Sequence, residues 1–142
     1  MAVNQNAFVK RRIVIVSIAL FVGALHLVRA GRYLPDDFYK IYRSYFSDIF
    51  IPFAFYYLLC AAEFKMPQMK SWKVKLAVSF LLPSFAETCQ AFGIPLLGST
   101  FDPLDYLMYG IGAASACVIE TQLFPKVFKF WQKEDSLQTE ER

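Results

Sequence analysis

The chain has no HExxH motif, no glycine-rich phosphate loop and no recognisable Ser/His or Cys/His pair; its single histidine is His26. Zinc hydrolysis, phosphate cradling and serine or cysteine nucleophile chemistry therefore lack the residue patterns they need. Its three cysteines, Cys60, Cys89 and Cys117, fall inside apolar runs and match neither a zinc nor a CxxC spacing. They read as small core residues, and no metal or cofactor is expected. No repeat of 20–50 residues is present. Arg11 and Arg12 precede an apolar run, but no small-x-small cleavage site follows it, so that run reads as an uncleaved span. The basic residues form no single patch, which argues against nucleic acid as a partner.

What is present is apolar surface. The 142 residues are 56% hydrophobic and 18% aromatic, with mean hydropathy +0.36; ordinary soluble domains are about 45–50% apolar. The expectation is an all-α membrane protein, a four-span transmembrane helix bundle with a polar loop between spans three and four. Lys10, Arg11 and Arg12 introduce the first span, 13–28. The aromatic stretch 38–46, interleaved with Lys40, Arg43 and Ser44, has an interfacial composition and leads into the apolar run 49–62, which contains Pro52. The third span is placed at 74–92, with Pro83 near its middle, and the fourth at 103–124, with Pro125 ending the helix. Residues 1–125 form one transmembrane domain in this reading; 126–142 form a cytoplasmic interfacial anchor and a disordered tail. Eleven Lys and Arg residues flank the spans on the side of the termini and four on the other. Both termini are therefore expected in the cytoplasm, across a bacterial cytoplasmic membrane.

Charge inside such spans needs a partner or a task, because a carboxylate in hydrocarbon costs about 3 kcal/mol on insertion scales. Asp48 opens span two, Glu87 and Gln90 close span three, and Asp102 and Asp105 open span four, so all five are expected to line one outward-facing cavity, with His26 and Arg29 as counter-charges. On span three, Leu76, Phe80, Pro83, Glu87 and Gln90 recur in steps of three and four and share a face. Structural alternatives stand beside this reading. Asp102-Pro103-Leu104-Asp105 suits a helix start, Asp48 can cap span two, and Glu87 can pair with Arg29 or Arg43. Glu63 and Glu120 are assigned to the inner ends, paired with Lys65, Lys73 or Lys126. Gly110/Ala114 and Gly112/Ala116 are small-xxx-small pairs and predict a close helix contact.

Glu87-x-x-Gln90, a ten-to-twelve-residue loop, Phe101-Asp102-x-x-Asp105 and the helix start Tyr109-Gly110-Ile111-Gly112-Ala113 resemble the signature of VanZ-like membrane proteins. The resemblance implies a small bacterial inner-membrane protein, associated in some family members with lowered sensitivity to teicoplanin-type glycopeptides. It carries over Glu87, Gln90 and Asp102, with Asp105 next. The function expected first is binding of a membrane lipid or lipid-linked envelope component in the acidic cavity. The alternative is a small non-catalytic subunit, or homo-oligomer, packing through the Gly/Ala face of span four. A third reading is an enzyme with Glu87 as general base and Asp102 or Asp105 orienting a substrate or holding a divalent cation.

Overall fold

The computed structural model describes residues 5–28, 35–63, 65–94, 96 and 101–131. Among them every regular element is helical. Helix α1 spans Gln5–Val28 and α2 Asp36–Ala62; a 3-10 turn, Pro67–Lys70, leads into α3, Trp72–Ala91. Helix α4, Pro103–Val118, passes through a π turn, Ile119–Leu123, into the short α5, Phe124–Val127, and a 3-10 turn, Lys129–Trp131.

Local chemistry sets the ends that bear on the site. Helix α3 stops at Gly93, whose φ of 77° suits a residue without a Cβ. The Gly93 and Ile94 N–H groups reach back to the carbonyls of Gln90 and Cys89, 2.9 Å each, which closes the helix as a Schellman motif. Helix α4 starts at Asp102: its Oδ1 accepts from the Leu104 N–H at 2.9 Å, Pro103 follows, and Asp105 lies in the first turn.

The four long helices run alternately up and down. Arg11 near the start of α1, Glu63 just past α2, Lys75 at the start of α3 and Glu120 just past α4 meet at one end. Glu87 near the end of α3 and Asp102 at the start of α4 meet at the other. Twelve residues of helix separate Lys75 from Glu87, about 18 Å.

Two stretches, Ser44–Ala62 and Pro103–Val127, are long and apolar enough to cross a membrane, yet only 22% and 39% of their apolar windows are buried. Large apolar side chains such as Leu20, Phe21, Leu82, Phe85 and Leu107 are exposed, while Lys75, Glu87, Glu120, Ser79 and Ser84 are buried. Exposed apolar side chains and buried charge thus occur around an interior that still holds Ile15, Tyr56, Tyr57, Cys60 and Phe124.

Helix α2 begins ahead of the aromatic stretch, so Asp48 lies well inside the helix and cannot be its cap. Pro125 does not end the last helix. The Phe124 N–H reaches back to Ile119 across the π turn, and the proline, with no N–H to give, follows immediately and continues into α5. Beyond Pro125 the chain stays on the bundle: Phe124 and Trp131 belong to one core cluster with Ile15, Tyr57 and Cys117. The small-residue pairs divide. Gly112 and Ala116 are buried, and a Cβ on Gly112 would overlap the Ile49 carbonyl and lie 2.9 Å from Pro52 Cγ. The α4 backbone thus lies directly on α2 beside its internal proline. Gly110 faces Phe80 of α3 at an ordinary 3.8 Å, and Ala114 is exposed.

Candidate functional site

The acidic end is built from three helices. Glu87 is 2% exposed; its Oε1 accepts the Asp102 backbone N–H at 2.9 Å and its Oε2 the Tyr109 hydroxyl at 3.3 Å. One carboxylate therefore fastens the end of α3 to the start of α4, where unpaired N–H groups and the helix dipole favour a negative charge. A hydrogen bond to a charged group contributes about 1.5–3 kcal/mol. Asp48 approaches from α2, and Asp48 and Asp105 each lie near enough to Glu87 and Asp102 to meet their negative charge. Among the described residues, no basic side chain is bonded to any of the four. Thr88 and Tyr106 share a hydrogen bond of 2.8 Å beside them. Gln90, one turn beyond Glu87, is half-buried and takes no part in these hydrogen bonds among the described residues. Arg29 lies outside the described residues, as do the side chains of His26 and Arg43, so the counter-charges expected from them are not placed.

The opposite end holds a cluster that the sequence pattern assigned otherwise. Neither Lys65, Lys73 nor Lys126 pairs with Glu63 and Glu120; Lys75 takes both. Its Nζ, on a side chain 1% exposed, donates to Glu63 Oε1 at 2.5 Å, Glu120 Oε1 at 3.0 Å and Cys60 Sγ at 3.4 Å. All three ammonium donors are thereby used. Arg11 donates to Glu63 Oε2 at 3.3 Å and Tyr56 to Glu120 Oε2 at 3.0 Å, so two cations meet two carboxylates and the net charge of the cluster is zero. The Arg11 guanidinium also lies 4.7 Å over the Trp131 ring, an arrangement favourable for a cation on an indole face.

Lys75 stands in the first turn of α3 because Ser71, not a residue further on, precedes the helix; the Lys75 N–H bonds the Ser71 carbonyl at 3.1 Å. The sequence does carry a signal for its burial. Lys75, Ser79, Pro83 and Glu87 recur every four residues and are all buried, so the face that holds Glu87 extends back to Lys75. Leu76 and Phe80, assigned to that face, are half-buried. The donor atoms of Cys60, Glu63 and Glu120 lie within 4.8 Å of one another, a spacing that suits a small cation; here the Lys75 ammonium bonds all three.

Near this cluster, Trp131 Nε1 is a buried donor with no acceptor among the described residues. The Trp131 side chain lines a groove between α3 and α4 with Glu120, Thr121 and Gln122. The chain matches no protein-family model, no curated protein and no solved structure.

Proposed function

We propose that the chain is an integral membrane protein of the bacterial cytoplasmic membrane, a four-span bundle with both termini in the cytoplasm. Its acidic end binds the cationic or hydrogen-bonding head of a membrane lipid or lipid-linked envelope component. The observation that carries the reading is the convergence of Asp48, Glu87, Asp102 and Asp105 from three helices, with no basic side chain bonded to them among the described residues. Membrane placement is supported by the exposed apolar surface and the buried charge, and the VanZ-like pattern around Glu87, Gln90, Asp102 and Asp105 connects the site with glycopeptide sensitivity.

The four acids have different tasks in this reading. Glu87 and Asp102 hold the helix ends in place, whereas Asp48 and Asp105 supply charge to the ligand. Neutralising Asp48 or Asp105 removes that charge without touching the Glu87–Asp102 bond. The expected outcome is that a glycopeptide-sensitive Gram-positive host is protected by the wild-type chain and loses protection with Asp48→Asn plus Asp105→Asn, at equal membrane level and unchanged melting temperature. Protection that survives the double change removes the acidic site from the function. Absence of protection by the wild type removes the family phenotype and favours the second reading, a small subunit of a larger membrane complex. The exposed Ala114 beside Gly110 is what supports that alternative, because the other small pair is already used within the bundle.

A further inference from the structure

The side of the bundle between α3 and α4 carries two adjoining hollows that share Trp72, Leu76 and Ala114. One, about 600 Å³, reaches Glu120, Thr121, Gln122 and Trp131 near the Lys75 cluster. The other, about 400 Å³, continues towards mid-helix along Ala77, Phe80 and Gly110. Volumes of about 300–1,000 Å³ are those of ligand sites. The groove exists because α4 presents Gly110, Ala113 and Ala114 to α3, where larger side chains would close it.

Its two halves differ in chemistry. The mid-helix half is carbon along Leu76, Ala77, Phe80 and Gly110, which suits a hydrocarbon chain, and has Lys73 at its α3-start end. The half at the bundle end offers the hydroxyl of Thr121, the amide of Gln122 and the indole of Trp131, 3% exposed. The surrounding charge favours an anion. Lys73 lines the groove, and Lys70, Lys126 and Lys129 are exposed at the same end, while Glu63 and Glu120 are already neutralised by Lys75 and Arg11.

We propose that this groove is a binding site for one anionic phospholipid, its acyl chain lying along Phe80, Ala114 and Leu76, its polar head beside Thr121 and Gln122, and its phosphate facing Lys73. The site is separate from the acidic end and rests on the membrane placement proposed above. It also gives the π turn a place in the molecule: Glu120, Thr121 and Gln122, which line the groove, all belong to it, and such turns recur at functional sites.

The chain carries its own reporters, since both of its tryptophans, Trp72 and Trp131, line the groove. Trp72→Phe leaves Trp131 as the single emitter. That variant of the full chain is reconstituted in vesicles containing brominated phosphatidylglycerol or, at the same mole fraction, brominated phosphatidylcholine, and tryptophan quenching is read after flotation. One lysine next to an anionic headgroup corresponds to about fivefold in affinity, so phosphatidylglycerol quenches at a correspondingly lower mole fraction. Adding Lys73→Gln removes that preference, and adding Ala114→Phe, at an exposed position where the new ring fills the groove, removes the excess quenching itself. Equal quenching by the two lipids overturns the proposal, as does a preference that both additional changes leave intact. A chain that fails to float with the vesicles overturns the membrane placement as well; one that floats and shows no preference overturns the lipid site alone.

Discussion

Lys75 brings a positive charge to a point where Glu63 and Glu120 would otherwise face each other inside the bundle, and each of its three donors has an acceptor. Removing one partner from a buried ion cluster leaves an uncompensated charge and costs about 3–5 kcal/mol. Lys75→Met is therefore expected to lower stability by about that amount, with Glu120 the more exposed to the loss because Glu63 retains Arg11. Adding Glu120→Gln to Lys75→Met should restore part of it, since the second change removes the charge that the first left unpaired. Unfolding of the detergent-solubilised single and double variants measures this coupling; additive losses would mean that the cluster is not acting as a unit. The acids at the other end were legible one residue at a time, because Glu87, Asp102 and Asp105 stand out against apolar neighbours. Lys75 was not, because next to Lys73 and a proline-containing turn it reads as one more loop charge. Its four-residue spacing to Ser79, Pro83 and Glu87 was the available signal.

Helix boundaries and helix contacts differ in how much of them the chain's pattern contains. The start of α4 was readable, since Asp102, Pro103 and Asp105 each favour a first turn for a separate physical reason. The end of the last helix was not: a proline normally stops a helix, and nothing in Ile119–Leu123 announces the wider turn that lets the chain pass Pro125. The two small-residue pairs of α4 looked equivalent in sequence, and the approach of α2 at Ile49 and Pro52 separates them. A Cβ at Gly112 meets the Ile49 carbonyl and the Pro52 ring, both held by backbone, whereas a Cβ at Gly110 meets the edge of Phe80 at 3.8 Å. Overpacking of this kind costs about 1–3 kcal/mol. Gly112→Ala is expected to destabilise by that amount or more by pushing α4 off α2, and Gly110→Ala to leave thermal stability within about 0.5 kcal/mol of wild type. If both changes prove equally harmless, the contact between α2 and α4 is looser than the backbone placement implies.

At the scale of the whole molecule, the same substitution separates two solvents. Leu82 is near the middle of α3 and 54% exposed. On a water-soluble protein, an arginine there would stay within about 0.5 kcal/mol of wild type, because surface changes away from special features have little effect. In a membrane it would face hydrocarbon at mid-span, where insertion scales place the cost of arginine at about 2.5–3.5 kcal/mol. Leu82→Arg is thus expected to reduce the membrane-inserted fraction several-fold without altering any contact inside the bundle. Lys70→Glu, at an exposed position in the turn before α3, changes charge at the bundle end and should leave insertion nearly unchanged. Alkali extraction and flotation of the two variants read the difference. If Leu82→Arg remains as well inserted as Lys70→Glu, or both stay soluble after alkali, the exposed apolar surface is covered by something other than lipid. A partner protein would then be the first candidate, because the apolar side chains on all four long helices still require a cover that water cannot supply.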